Sequence, residues 1–281
     1  MKNKMNLILT AILGFICAFN LNAQTDSTKL KKDKPQVYNY NNKIDIPITS
    51  VAAGISIFNF TQIYSKDRSS EESILALDAN EVNKFDRRAA GNYNEDAKRA
   101  SDVFFKAAIP LPLVVFAFDD SMRKDYWKLS LLYVEAMSIT GAAYSTSQQL
   151  NDRLRPFTYN QNLSLSERTK GGAKNSFYSG HTALVATSTF FLAQVYADYH
   201  PDSSSKWMVY GGAALATYFT GYFRVQAGQH FPSDVIVGGL VGAASGILVP
   251  LLHKNKLFED ENLSLLPVTG EYHGLRLAYQ F

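Results

Sequence analysis

Five apolar tracts separated by polar segments occupy nearly half of the chain after its first hundred residues. Their lengths run from 12 to 22 residues, against about 20 needed to cross a bilayer, and only the second contains a charge, Glu135. A weaker tract, Ile46–Ser65, has no charge but is diluted by polar residues. The pattern predicts an all-α bundle of about six apolar helices, in a membrane or as a soluble bundle. The five tracts are Ala107–Phe118, Leu129–Leu150, Thr182–Ala197, Trp207–Phe223 and Val235–Leu252.

Both ends of the chain differ from this core. Lys2 and Lys4 precede an apolar run that ends in Leu21-Asn22-Ala23, which predicts a secretory signal peptide over residues 1–23. Residues 24–45 are polar and predict a linker. Alternation of apolar residues towards Phe281 predicts a short β strand or hairpin within the tail, residues 254–281.

Charges are concentrated between the weak tract and the core. Residues 66–102 carry 16 charges of both signs, which predicts surface helices forming a solvated lid or platform. The domain boundaries that follow are 46–102 for the weak apolar segment with these helices and 103–253 for the helical core. Glu135 is expected to face the bundle interior or a wet cavity and to have a structural partner such as a tyrosine or an amide.

Composition narrows the partners and the chemistry. The formal charge is +3, from 28 basic and 25 acidic residues, and the predicted leader contains two of the basic ones, so nucleic acid is not expected as the main partner. The one cysteine, Cys17, also lies in that leader. A mature chain would therefore have neither a disulfide nor a cysteine metal site, which is compatible with export into an oxidising cell envelope.

A helix start beside a histidine provides the first candidate chemistry. In Tyr178-Ser179-Gly180-His181, the serine can cap the helix that begins at the third apolar tract. Gly180 leaves the backbone accessible, and the N-terminus of a helix favours an anion. These four residues therefore predict a phosphate-binding turn, although a Ser-Gly pair before a helix is common.

Two further polar elements lie at other predicted helix ends. Arg224 precedes His230 by six residues, and Asp234 follows it by four, so that the carboxylate can reach back to the ring across the helix start. An ordinary surface ion pair would have the same spacing. Arg153 and Arg155 precede a proline after the second tract, and the arginine fork suits phosphate oxygens.

The three elements together resemble the type-2 phosphatidic acid phosphatase and vanadium haloperoxidase superfamily. Its signature is Lys-x6-Arg-Pro, then Pro-Ser-Gly-His, then Ser-Arg-x5-His-x3-Asp, in this order along an α-helical bundle. The resemblance covers about half of the chain. Three positions depart from it: Gln148 stands in place of the lysine, Tyr178 in place of the proline, and Phe223 in place of the serine. We hypothesise that Arg153 supplies the cation that Gln148 lacks.

The resemblance implies a metal-independent phosphatase with no cofactor. His230 would take the phosphoryl group, Asp234 would orient it, and His181 would protonate the leaving oxygen. The phosphate-binding residues implied are Arg155, Arg224, Ser179 and Gly180, together with the Gln148 position and Arg153. His200, His253 and His273 are assigned no role.

The expected substrate is a phosphate monoester or diphosphate of a membrane lipid, because the motifs lie where apolar helices end. We expect an exported protein in the inner membrane with its site facing the periplasm; a soluble periplasmic or outer-membrane-associated protein is the alternative. Two other functions stay open. One is a non-catalytic envelope protein with a phosphate pocket, and the other is a vanadium-dependent haloperoxidase. The sequence does not indicate an oligomeric state.

Overall fold

The computed structural model describes residues 37–254, 263–268 and 274–279. The predicted signal peptide, residues 24–36 of the predicted linker and parts of the predicted tail lie outside these ranges. Within them the chain is mainly helical, which confirms the predicted all-α bundle. Six helical segments are long, and short helices connect some of them.

The helices follow the predicted tracts closely. The long segments are α1 (Asp45–Ile63), α3 (Glu95–Ala108) followed directly by α4 (Leu111–Phe118), α5 (Tyr126–Leu150), α7 (Gly180–Tyr199), α8 (Ser205–Gln226) and α9 (Pro232–Leu252). The short α-helices are α2 (Glu71–Leu75) and α6 (Leu165–Arg168). Single 3-10 turns lie at Ala79–Glu81, Arg87–Ala89, Arg123–Asp125, Pro156–Tyr159 and Gly171–Lys174.

Three of the helical segments are long and apolar enough to cross a membrane. They are Asp45–Ile63, Glu95–Phe118 and Pro232–Leu252. The first is the tract that the sequence predicts to be weak. Its outward face is nevertheless apolar, because Val51 and Phe58 are each more than 60% exposed. This helix therefore has the surface of a membrane-facing element.

The closest packing in the bundle joins α7 to α9 through a glycine stripe. A Cβ atom at Gly238, Gly242 or Gly246 would lie 2.5, 2.1 or 2.6 Å from a backbone carbonyl oxygen of α7 or of its N-cap residue. These oxygens belong to Ser179, Ala183 and Thr187, which are also four residues apart. Small residues let two helix backbones approach, so the stripe fixes the register of α9 against α7.

Residues 37–44 differ from the predicted linker. The Tyr38 side chain is fully buried and donates a hydrogen bond of 2.6 Å to Asp198 Oδ2. Its backbone pairs with Lys254 in an isolated β-bridge just after α9. The polar composition of this segment does not indicate the contact, which depends on one buried aromatic residue.

Two short strands lie in the tail. β1 (Leu263–Val268) and β2 (Gly274–Tyr279) pair antiparallel, with Leu263 opposite Tyr279 and Val268 opposite Gly274.

Candidate active site

The site is assembled at one end of the bundle, where α5 and α8 end and where α7 and α9 begin. The loop before α9 carries His230, which is 2% exposed. Its ring Nδ1–H donates a hydrogen bond of 2.7 Å to the backbone carbonyl of Ser176. A carbonyl can only accept, so the proton of the neutral ring is on Nδ1, and the lone pair is on Nε2.

A glycine turn brings His230 to this position. Gly228 has φ +69°, and a Cβ atom there would lie 1.8 Å from the carbonyl oxygen of Asn92. The left-handed conformation and the lack of space both require glycine. The carbonyl of Gly228 accepts the N–H of Phe157, and this ties the loop to the Arg-Pro turn after α5.

Asp234 does not contact the His230 ring, contrary to the sequence prediction. Its Oδ2 accepts hydrogen bonds from Ser176 Oγ at 2.6 Å and from the Phe231 N–H at 2.8 Å. Ser176 therefore lies between the carboxylate and the imidazole. Its hydroxyl donates a hydrogen bond to Asp234, and its carbonyl accepts one from His230. Asp234 is thereby connected to the ring through Ser176.

Arg153 faces this carboxylate and not the phosphate-binding groups. Its guanidinium pairs with Asp234 and with Asp86, the latter at 2.7 Å. Asp86 is 1% exposed and also accepts the backbone N–H and the hydroxyl of Ser233 at the start of α9. The structure therefore contradicts the hypothesis that Arg153 replaces the missing lysine, because two buried carboxylates hold its charge.

The first turn of α7 has the predicted capping geometry. Ser179 Oγ accepts the N–H of Thr182, and the Ser179 carbonyl accepts that of Ala183. The first N–H groups of a helix have no partner inside it, so the N–H groups of Gly180 and His181 are left for a ligand. Gly180 also packs tightly, since a Cβ atom there would lie 2.7 Å from the Tyr144 ring.

His181 has a carboxylate partner that the sequence does not reveal. Its Nε2 lies 3.1 Å from Asp102 Oδ1 on α3, and its ring packs on Phe105 with 4.6 Å between the ring centres. The carboxylate accepts the Nε2 proton, which leaves Nδ1 as the ring nitrogen available to a substrate. Asp102 also lies 3.5 Å from Arg224 Nη1.

The two predicted arginines, Arg155 and Arg224, add positive charge to the site. Arg155 donates from Nη1 to Gln229 Oε1 at 2.6 Å and from Nε to the Asn175 carbonyl at 3.1 Å. The side chain of Arg224 is buried, and its Nε has no hydrogen-bond partner among the described residues. A buried guanidinium N–H without a partner is available to an anion.

The charges of both arginines lower the pKa values of both histidines. Burial and then the charge of Arg224 lower the pKa of His181 to about 3, with Arg155 adding to the effect and Asp102 opposing it. Burial followed by Arg155 and Arg224 lowers the pKa of His230 well below its usual value. Both rings are therefore neutral at neutral pH without a bound anion.

Gln148 occupies the position of the expected lysine but has a structural contact. It is fully buried and donates from Nε2 to the Tyr178 carbonyl at 2.9 Å. Lys66 Nζ contacts the Gln148 carbonyl at 2.7 Å, the Asn151 carbonyl and Asp152. The positive charge of Lys66 therefore interacts with carbonyl groups at the C-terminus of α5.

Two acidic site residues, Asp86 and Asp102, come from the charged segment predicted to be a lid or platform. Asp102 directly precedes an apolar run, and this is a weak sequence signal. Asp86 has no such signal, because its partners in the site, Arg153 and Ser233, lie 67 and 147 residues further along the chain.

Part of the chain is similar to known proteins. Residues 129–258 match the model of the PAP2 superfamily. Over 126 residues the chain is 31% identical to the lipid A 1-phosphatase of Porphyromonas gingivalis, an alignment that covers 44% of this chain and 24% of that protein. The chain thus spans about a quarter of the length of that relative. The crystal structure of Aquifex aeolicus LpxE is similar at 22% identity and a TM-score of 0.39, covering 58% of this chain and 90% of that one.

Residues 129–258, which include most of the helical core, are thus similar to the PAP2 superfamily. The predicted resemblance is thereby confirmed.

Proposed function

We propose that the protein is a phosphatase that removes a phosphate group from a membrane lipid through a phosphohistidine on His230. The observation that carries the proposal is the convergence of two neutral imidazoles, two guanidinium groups and a free helix N-terminus at one end of the bundle. A phosphate monoester brings close to two negative charges, which Arg155 and Arg224 can balance.

The proposed reaction has two steps. His230 Nε2 attacks phosphorus in line with the ester bond, and the phosphorus–oxygen bond breaks while His181 Nδ1–H protonates the leaving oxygen. Water then attacks the phosphohistidine, His181 takes a proton from this water, and the phosphorus–nitrogen bond breaks to release phosphate. The N–H groups of Gly180 and His181 hold the equatorial oxygens with the arginines.

The protonation states of the two histidines fit these reaction steps once the anion is bound. His230 has to be neutral to attack, and its lowered pKa keeps it so. His181 has to be protonated to act as an acid. A bound phosphate opposes the arginine charges that lower the pKa of His181, and Asp102 already favours the imidazolium.

An apolar groove beside the site supports a lipid substrate. It has a volume of about 890 Å³ and lies mainly between α8 and α9. Its lining includes Thr182, next to His181, and continues along α9 from Pro232 to Ala243. Eleven residues of helix correspond to about 16 Å, which is enough for a large part of an acyl chain. Lipid A 1-phosphate is the first lipid to test, because the Porphyromonas gingivalis relative is named for it.

Membrane association is supported by the length and composition of the helices. Three helical segments can cross a membrane by length and composition. We infer an envelope protein whose site faces the periplasm, on the basis of the leader predicted in the sequence. An insertion assay with a reporter fused after Phe281 tests the orientation.

The direct test uses the full chain purified in detergent and assayed on an aryl phosphate and on long-chain lipid phosphates. We expect hydrolysis to persist in EDTA at temperatures below that of thermal unfolding. We also expect vanadate to inhibit it. His230→Asn should abolish it. Hydrolysis by His230→Asn equal to that of the unmodified protein would overturn the proposal. No hydrolysis of any substrate would favour a non-catalytic phosphate pocket, and peroxide-dependent bromide oxidation with vanadate would favour a haloperoxidase.

A further inference from the structure

A second cluster of ionisable side chains lies at the opposite end of the bundle. Asp45 begins α1, Glu135 lies in the third turn of α5, and His253 directly follows α9. One ligand atom from each lies within 4.8 Å of the other two. The 19 residues from Asp234 to His253 correspond to about 28 Å of helix, so this cluster is remote from the phosphate site.

The cluster is buried. Asp45 is 5% and Glu135 3% exposed, and the side chain of His253 is 14% exposed. Glu135 Oε2 has no hydrogen-bond partner among the described residues, in contrast to the tyrosine or amide expected from the sequence. A buried carboxylate oxygen without a donor is costly unless a cation or a proton balances it.

The ring of His253 is held as a metal-binding imidazole usually is. Its Nδ1–H donates a hydrogen bond of 2.7 Å to the Val249 carbonyl, so Nε2 carries the lone pair when the ring is neutral. That atom lies 3.3 Å from Asp45 Oδ1 and 3.7 Å from Glu135 Oε2. The other oxygen of Asp45 accepts the N–H of Asn41, which orients Oδ1 towards the cluster.

The separations and the charges both fit one divalent ion. Tetrahedral ligands with bonds of about 2.1 Å are about 3.4 Å apart, close to the two separations around His253 Nε2. Two carboxylates and a neutral imidazole carry charge −2, which a divalent cation cancels. A protonated imidazole would cancel only half of this charge.

We propose that Asp45, Glu135 and His253 form a structural site for a zinc-class divalent ion that clamps α1, α5 and α9 together. One nitrogen and two carboxylate oxygens suit zinc and similar transition metals better than calcium or magnesium, which prefer all-oxygen sites. Water completes the coordination. The ion takes no part in phosphate chemistry.

The test measures binding of Zn²⁺ and Mg²⁺ to the full chain in detergent after removal of metal with a chelator. We expect one equivalent of Zn²⁺ to bind, to raise the midpoint of thermal unfolding, and to displace Co²⁺ whose visible absorption indicates a tetrahedral site. Glu135→Gln should weaken Zn²⁺ binding by about tenfold or more and remove the thermal shift. Mg²⁺ should have neither effect.

His200→Gln is the matched control. The His200 ring pairs with a single carboxylate, Asp119, at 3.0 Å. The His200→Gln variant should bind Zn²⁺ as the unmodified protein does. The Glu135→Gln variant should keep its phosphatase rate, and this would show that Glu135→Gln is folded. Absence of saturable Zn²⁺ binding, absence of a tetrahedral Co²⁺ spectrum, or equal binding by Glu135→Gln and the unmodified protein would each overturn the proposal.

Discussion

The two site histidines are held by different groups. The backbone carbonyl of Ser176 holds His230, whereas the Asp102 carboxylate holds His181. A carboxylate stabilises an imidazolium more than a carbonyl does. This difference supports the proposed roles, in which His181 donates a proton and His230 attacks phosphorus.

Replacement of Asp102 tests the role of His181. Asp102→Asn should lower kcat on a lipid phosphate by about 10- to 100-fold, because His181 loses the group that orients it and favours its protonated form. The alkaline limb of the kcat profile should also move to lower pH, since the acid loses its proton more readily. Steady-state kinetics across pH measure both effects.

Asp96→Asn provides the control for this experiment. Asp96 lies on the same helix, is exposed, and pairs with Arg99. Its replacement should leave both kcat and the pH profile unchanged. An unaltered pH profile in Asp102→Asn would remove the assigned role of Asp102.

Stability should fall on acidification because both site histidines are neutral in the folded protein. The pKa of His181 is lowered to about 3, below the value of about 6.5 in an unfolded chain. Between these two values the unfolded chain binds more protons, so the free energy of unfolding decreases as pH falls. The midpoint of thermal unfolding should therefore be lower at about pH 5 than at about pH 7.

Vanadate and a His181→Asn variant separate this contribution from that of the carboxylates. Either change should narrow the difference between the two midpoints, since bound anion favours the protonated ring and asparagine does not titrate. A difference that neither change affects would show that His181 does not contribute.

The sequence indicates the groups that we propose to bind phosphate, but it does not indicate the groups that support them. Spacing within short segments indicates His181, His230, Arg155 and Arg224. The supporting contacts of Asp86, Asp102 and Ser176 join residues 54 to 147 positions apart. No local pattern encodes such contacts, and a surface ion pair has the same composition.

Helix packing determines whether these groups converge. The starts of α7 and α9 carry His181 and Asp234, and the glycine stripe sets the spacing between the two helices. In the sequence, glycine at every fourth position of the stripe allows a neighbouring helix to approach closely. The sequence does not identify α7 as that neighbour, because several tracts contain small residues.

Gly242→Ala tests the stripe. The added methyl group would lie 2.1 Å from the Ala183 carbonyl oxygen, and neither backbone can move without separating the helices. We expect a loss of about 1–3 kcal/mol or more in the free energy of unfolding, and lower activity. Chemical denaturation in detergent measures the first effect.

Gly212→Ala on α8 is the matched substitution. No atom of the residues that the structure describes lies within 4 Å of its added methyl group, and alanine favours a helix over glycine by about 1 kcal/mol. This variant should be as stable as the unmodified protein or more stable. Equal effects of the two substitutions would contradict the packing assignment.

The molecule as a whole places a polar site at the end of an apolar groove and apolar helices. Sequence composition predicts the bundle but underestimates how well its first helix can face a membrane. Polar residues dilute the tract, whereas Val51 and Phe58 face outwards. The groove between α8 and α9 is a product of packing, and no single tract predicts it.

Ala243→Phe tests the groove. The larger side chain fills space far from the phosphate site, so KM for a long-chain lipid phosphate should rise by about tenfold, equivalent to about 1.4 kcal/mol. Hydrolysis of an aryl phosphate should not change. Leu248→Phe, an exposed position on α9 outside the groove lining, should leave both substrates unaffected. An equal loss on both substrates would argue against acyl-chain binding there.

The most direct test of the proposed mechanism is isolation of the phosphoenzyme. A lipid phosphate labelled at phosphorus is mixed with the full chain and quenched rapidly in base, in which phosphohistidine survives. The account predicts label on the peptide that contains His230, its loss in acid, and its absence in His230→Asn. Turnover without this label, or label on another residue, would contradict it.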